Sequence, residues 1–243
     1  MHSRPSHSAR PSGAPTGLLL FDVDGTLLRS HGGSLRAMTA AARRWFGPTF
    51  RLDAVDRNGQ LDPHIIAAAL ELNGVRATAG QLDAFRESYL EELRTEVRSS
   101  RILPGVSELL AGLRATEGVL LGLVTGNYAE AARIKLEAVE IDPAWFPVGG
   151  FGEQAATRSR LVGLAIETAA SLVGRAIPAR DAIVIGDTPR DVESAHEAGC
   201  RSLAVATGNY PADVLEAAGA DVVVPDLTDP ASLWAMLDDW GVG

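Results

Sequence analysis

Several residue types are scarce in this chain of 243 residues, and each shortage argues against a class of protein. The one cysteine, Cys200, cannot form an internal disulfide, so we expect a reducing compartment, the cytoplasm. No apolar stretch approaches the ~20 residues that span a bilayer, and residues 1–17 lack the apolar segment of a secretory signal. There is no long basic run and the formal net charge is −9, which argues against nucleic acid or a membrane as the partner.

Short apolar runs recur along the chain, each followed by a turn and then mostly by helical spacing. They cover residues 18–23, 119–125, 182–186, 202–206 and 221–224. Their hydrophobicity is continuous rather than alternating, which is typical of strands covered on both faces. With 46% apolar residues the chain can also bury a full core. The pattern therefore predicts an α/β fold with an open parallel sheet between two layers of helices.

The long interval between the first two predicted strands contains no convincing strand. Within it, Asp62 is a candidate N-cap, Pro63 the first helical residue and Gly74 a stop, and TAGQLDAFRESYLEELRTEVRSS has the pattern of a long amphipathic helix. We therefore predict a helical insert. The predicted division is a disordered tail at 1–17, a core at 18–30 and 103–243, and the insert at 31–102.

Two carboxylates end the first apolar run, in the stretch LLLFDVDGTLL. Side chains two apart in an extended segment share a face, so Asp22 and Asp24 can both project beyond the carboxyl end of the strand. Gly25 and Thr26 then break the strand and free backbone N–H groups to turn toward an anion. Two such acids can also be plain turn formers, so their meaning depends on the rest of the chain.

Two later strand ends carry polar groups that suit the same site. Thr125, Gly126 and Asn127 offer a hydroxyl, a flexible backbone and an amide, which together can cradle phosphate oxygens. Asp187 directly follows a buried run, and Asp191 lies one helical turn later. Four acids gathered at one sheet edge would repel one another without a hard divalent cation, and carboxylates suit Mg²⁺. Such an ion would also let an acidic protein hold a phosphate.

The stretches FDVDGT, VTGN and GDTPRDVESAHEAG, in that order with a helical insert after the first, resemble the haloacid dehalogenase superfamily from Leu18 to about Asp226. The resemblance implies a Rossmann-like core with a helical cap, as in phosphoglycolate phosphatases and β-phosphoglucomutases. It implies that Asp22 is the nucleophile that forms an aspartyl-phosphate, and that Asp24 is the general acid and then the general base. The resemblance also implies that an acid at position 24 favours phosphoryl transfer over carbon–halogen or carbon–phosphorus cleavage.

The same resemblance implies which groups hold the metal and the phosphate. The metal contacts would be the Asp22 and Asp187 side chains and the Asp24 backbone carbonyl. Asp191 would contact the metal through a water molecule or would contact its ligands instead. The phosphate contacts would be Gly25, Thr26, Thr125, Gly126 and Asn127.

The cation that this family usually supplies as lysine has no evident counterpart. The only lysine, Lys135, lies nearly three turns into the helix after Asn127, which by rise alone predicts that it is too far away to reach the phosphate. Arg158 and Arg160 precede an amphipathic helix, and arginine can present two donors to phosphate oxygens. We favour Arg158, because it precedes the helix more cleanly.

The sequence thus predicts a Mg²⁺-dependent phosphatase that acts on a small phosphorylated metabolite, as a monomer or a homodimer. A phosphomutase and a catalytically silent protein that binds a phosphorylated ligand or a partner protein are the alternatives. The stretch DRNGQLD in the insert is the candidate for a loop facing the substrate, with Arg57 or Gln60 touching a second polar group.

Overall fold

The computed structural model describes residues 17–241, and these contain eight β-strands and nine α-helices. The strands are β1 (Gly17–Phe21), β2 (Leu28–Arg29), β3 (Arg101–Ile102), β4 (Val119–Thr125), β5 (Val148–Phe151), β6 (Ala182–Gly186), β7 (Arg201–Val205) and β8 (Val222–Val224). The helices are α1 (Gly33–Phe46), α2 (Asp62–Leu72), α3 (Ala79–Glu96), α4 (Val106–Ala115), α5 (Ala129–Ala138), α6 (Arg158–Val173), α7 (Pro189–Glu197), α8 (Ala212–Ala217) and α9 (Pro230–Asp239). The predicted tail lies outside the described residues except for Gly17, which is the first residue of β1.

Six of the strands form one parallel sheet in the order β5-β4-β1-β6-β7-β8. All five residues of β1 are buried, and Phe21 at its end pairs with Leu123 of β4 and Ile185 of β6. The carboxyl ends of these three central strands therefore lie side by side. This arrangement confirms the predicted α/β class.

Alternate residues of β1 face opposite layers of helices, because side chains in a strand alternate between its two faces. Leu19 and Phe21 pack in a hydrophobic cluster with residues of α4 and α9. Leu18 and Leu20 pack in a second cluster with residues of α6. The core thus has the three layers, helix, sheet and helix, that the continuous hydrophobicity of the strands predicted.

The apolar pattern of the sequence predicts five of the six sheet strands but not β5. That strand reads VGGF, and two glycines in four residues conceal its apolar pattern. At Gly150 a Cβ would lie 2.1 Å from the carbonyl oxygen of Leu161, so helix α6 approaches the strand more closely than any larger residue would allow. Gly150 therefore allows close packing of helix on sheet.

The insert, residues 31–102, leaves and rejoins the core at adjacent points, where β2 and β3 pair antiparallel. Its helices α1 to α3 share a hydrophobic cluster that includes Phe50, Phe85 and Tyr89. That cluster continues into the core through Tyr128, the residue before α5, and Ile134, a residue of α5. The insert is therefore seated on α5 by apolar packing.

The start of α2 differs from the prediction. The helix begins at Asp62 and its N-cap is Leu61, so Asp62 does not cap it. The Asp62 carboxylate instead accepts a hydrogen bond of 3.0 Å from the backbone N–H of Tyr128, in the core. The sequence could not show this long-range partner. Within residues 17–241, no helix has the length and apolar character needed to cross a membrane.

Candidate active site

The carboxyl ends of β1, β4 and β6 open into a cavity of about 490 Å³ between the core and the insert. Most of the predicted site residues line it, namely Asp22, Asp24, Gly25, Thr125, Gly126, Asn127, Arg158 and Asp187. Thr26 does not line the cavity but donates a hydrogen bond of 3.2 Å to Asp187 Oδ1. The sheet topology thus gathers residues that are far apart in the chain.

Three of the predicted metal ligands form a compact buried group. Asp22, Asp187 and Asp191 each offer an oxygen within 4.8 Å of the others. The side chain of Asp24 is not part of this group, and the resemblance gave that residue only a backbone contact. A hard divalent cation is the partner that such a set of carboxylates suits.

The electrostatics of these acids also fit a cation. Burial raises the pKa of Asp22 to about 6, although the positive charge of the Arg158 guanidinium acts in the opposite direction. Burial raises the pKa of Asp187 well above its usual range, and the nearby Asp22 and Asp191 raise it further. Among the described residues, no hydrogen bond reaches the buried Oδ1 of Asp22. The Arg158 guanidinium faces this oxygen at 2.9 Å, and a single cation does not balance three buried carboxylates, so the site accepts a metal ion.

Arg158 is buried beside the acids. Its Nη2 lies 2.9 Å from Asp22 Oδ1, contacts Asp191 Oδ1, and donates to the carbonyl oxygen of Val124 at 3.2 Å. Thr157 is the N-cap of α6, so Arg158 is the first residue of the helix, and it is buried there. Arg160 is not brought to the site, because it is exposed and pairs with Glu167 at 2.5 Å.

The turn after β4 is rigid and closely covered. Asn127 Nδ2 donates to Thr125 Oγ1 at 2.7 Å, and the backbone N–H of Asp62 donates to the Gly126 carbonyl at 2.7 Å. At Gly126 a Cβ would lie 2.0 Å from the carbonyl oxygen of Gln60. The insert therefore rests directly on the turn that we predicted to cradle phosphate.

Helical rise predicts that Lys135 lies well away from the mouth of its helix, and this placement is wrong, because the residue lines the cavity. Its side chain is 1% exposed, and its Nζ lies 2.5 Å from Asp24 Oδ2 and donates to Asn127 Oδ1. Rise along the helix axis overestimated the separation, because side chains in a helix tilt toward its N-terminus and lysine is long. The signal in the sequence was that this residue is the only lysine among 22 basic residues.

The insert contributes a loop at residues 56–60 that closes one side of the cavity. Arg190 of the core donates to the Asn58 carbonyl at 2.6 Å and pairs with Asp56 at 3.1 Å, and Asn209 donates to the Asn58 side chain at 2.9 Å. Arg57 lines the cavity, but its Nη1 donates to two carbonyl oxygens of the insert itself. The loop is thus held to the core by polar contacts at its rim.

Comparisons with known proteins agree with this geometry. A family model described as haloacid dehalogenase-like hydrolase matches residues 19–205. The chain is 27% identical over 238 residues to a phosphoglycolate phosphatase of Rhodospirillum rubrum, covering 91% of this chain and 89% of that protein. It is 28% identical over 222 residues to an N-acetylmuramic acid 6-phosphate phosphatase of Pseudomonas aeruginosa, covering 85% and 89%.

A solved structure shares the fold. The crystal structure of CbbY from Rhodobacter sphaeroides in complex with phosphate superposes with a TM-score of 0.68 at 19% identity, covering 88% of this chain and 96% of that one. The likeness extends over both the sheet core and the inserted helices, because it covers most of each chain.

Proposed function

This chain belongs to the haloacid dehalogenase-like hydrolase family, and from that premise we propose that it is a Mg²⁺-dependent phosphatase of a small phosphorylated metabolite, acting through an aspartyl-phosphate. The observation that carries the proposal is the placement of Asp22, which is buried at the end of the central strand, pairs with Arg158 at 2.9 Å and lies beside Asp187 and Asp191. Both curated relatives compared above bear the names of phosphatases.

In the first step, Asp22 attacks phosphorus, the bond from phosphorus to the ester oxygen breaks, and that oxygen takes a proton from Asp24. In the second step, water attacks the aspartyl-phosphate, gives a proton to Asp24 and displaces the Asp22 carboxylate. Inorganic phosphate leaves, and both acids regain their starting forms. A carboxylate nucleophile thus divides one displacement into two, with a single acid serving each in turn.

The groups around Asp22 have separate tasks in these steps. Asp22, Asp187 and the Asp24 backbone carbonyl would hold Mg²⁺, with Asp191 nearby, and the bound ion would supply positive charge that favours ionised Asp22 and neutralises phosphoryl oxygens. The Arg158 guanidinium, Thr125 and the backbone N–H groups after it hold the non-bridging oxygens as charge redistributes.

We propose that the insert, residues 31–102, acts as a cap domain on a core formed by 18–30 and 103–243. The cavity of about 490 Å³ between them is in the range that encloses a small molecule. A seated cap excludes bulk water from the aspartyl-phosphate, so that hydrolysis uses a positioned water. The single cysteine and the net charge of −9 support a reducing compartment and a small-molecule partner.

The experiment is phosphate release from a panel of phosphate esters, including phosphoglycolate and hexose phosphates, with and without Mg²⁺. Asp22→Asn is the control, because it keeps the shape of the side chain and removes the nucleophile. We expect release that needs both the metal and Asp22. Isomerised hexose phosphate without release would overturn the phosphatase in favour of a phosphomutase, and no change in any compound would point to a silent binding protein.

A further inference from the structure

The only lysine of the chain lies buried between two polar side chains of the site. Lys135 Nζ lies 2.5 Å from Asp24 Oδ2 and also donates to Asn127 Oδ1. An ammonium group in such a place is costly unless it is paired and hydrogen-bonded, and here it is both. In a chain whose other basic residues of this kind are arginines, the one lysine thus lies beside the proposed acid and base.

The two nitrogen donors meet at the same oxygen of Asp24. Asn127 Nδ2 donates to Oδ2 at 2.9 Å, and Lys135 Nζ reaches that oxygen as well. Asn127 is itself fixed, because its Nδ2 also donates to Thr125 Oγ1 at 2.7 Å. The Asp24 side chain is 37% exposed, so these two contacts are what restrict its rotation. With Oδ2 accepting twice, Oδ1 is the oxygen left to carry a proton.

Lys135 and Arg158 divide the positive charge of the site between the two working acids. Arg158 contacts Asp22 and Asp191, and Lys135 contacts Asp24 and Asn127. Because Arg158 already faces the nucleophile, Lys135 has a different task from the cation that holds phosphate. The contacts of Lys135 with Asp24 and Asn127 indicate that it acts on Asp24, the proposed general acid and base.

We propose that Lys135 is a positioning residue which, with Asn127, fixes the Asp24 carboxyl so that Oδ1 faces the leaving oxygen. The assignment rests on the proposed phosphatase mechanism. Its effect is confined to proton transfer, because Lys135 touches Asp24 through Oδ2 and does not contact Asp22. General acid catalysis contributes about 10²–10⁴-fold, and part of that factor depends on geometry.

The test compares two esters with Lys135→Met, which keeps much of the side-chain volume and removes the donor. An alkyl phosphate needs a proton on its leaving oxygen, whereas 4-nitrophenyl phosphate expels a stable anion. We expect kcat/KM to fall about 10- to 100-fold for the alkyl ester and less than about threefold for the aryl ester. Equal losses for both esters would overturn the assignment.

A double-mutant cycle separates positioning from a structural role. In the Asp24→Asn background, Lys135→Met should cause no further loss for either ester; a further loss would show that Lys135 acts elsewhere. Thermal unfolding monitors the fold, and if the methionine variant is unfolded, Lys135→Gln takes its place with the same two expectations. Absence of turnover of both esters by the wild-type protein would instead refute the proposed phosphatase, and the inference with it.

Discussion

Replacement of Gly126 by alanine should separate the insert from the catalytic turn. A Cβ there would lie 2.0 Å from the Gln60 carbonyl oxygen and 3.2 Å from Leu61 Cα, and both neighbours are backbone atoms. No flexible side chain can move aside to relieve the first contact. Either the loop of the insert or the turn after β4 must therefore shift.

The size of the shift follows from the contact distances. Contacts to a Cβ shorter than 3.0 Å are essentially never seen, so the Cβ and the Gln60 oxygen must separate by about 1 Å from 2.0 Å. The hydrogen bond of 2.7 Å from the Asp62 N–H to the Gly126 carbonyl lies at the same junction. Misplacement of reacting groups by about 1 Å can cost on the order of 10²-fold in rate. We expect kcat/KM of Gly126→Ala to fall by about 10- to 100-fold.

The assay is steady-state phosphate release with the best ester of the panel, and Gly80→Ala is the matched control. Gly80 lies in α3 of the insert, and a Cβ there would meet nothing within 4 Å. That variant should keep wild-type kinetics and gain helix stability of up to roughly 1 kcal/mol. If Gly126→Ala retained kcat/KM within twofold of Gly80→Ala, the seated position of the insert would not be the one used in turnover.

Three further variants test the electrostatics. Burial raises the pKa of Asp62 to about 6, partly offset by Lys135, so its ionisation in the folded protein costs stability that is absent below its unfolded pKa of 3.8 and grows as pH rises to 6. Asp62→Asn should thus increase the free energy of unfolding at pH 8 by at most roughly 3 kcal/mol, and this gain should disappear near pH 4. Thermal unfolding at the two pH values measures it, and equal shifts of the melting temperature at both would contradict the expectation. Arg158→Met should lower kcat/KM at least about 100-fold while Arg160→Met stays within twofold, and the reverse order would exchange their assignments.

Sequence patterns predicted the sheet well, because a strand covered on both faces must be apolar throughout. The five predicted strands and the residues at their carboxyl ends follow from this rule alone. Strand β5 was not recognised, since two of its four residues are glycines, and at Gly150 the missing side chain permits the close approach of helix α6. The fold was therefore predictable wherever side-chain burial, rather than backbone contact, holds the sheet.

The site was predictable as far as it depends on strand ends, and no further. Asp22, Thr125 and Asp187 meet because parallel strands align their ends at one edge. Lys135 reaches the site from within helix α5, through a contact that depends on the length of its side chain. Asp62 reaches the border of the site from the insert, through a contact that depends on how the insert packs on the core. The spacing of residues along the sequence contains neither side-chain length nor domain packing. Lys135 was therefore placed too far away, and Asp62 was predicted to be the N-cap of a helix.

The hydrophobic cluster that continues from the insert into α5 limits how caps can be exchanged between relatives. A foreign cap joined at residues 31 and 102 would meet Tyr128, Ala131 and Ile134, whose apolar surfaces are matched to this insert. A working chimera must therefore bring its own version of α5, the helix that also carries Lys135. The unit that an exchange of the proposed cap would have to replace is thus discontinuous in the chain, and it includes a helix of the core.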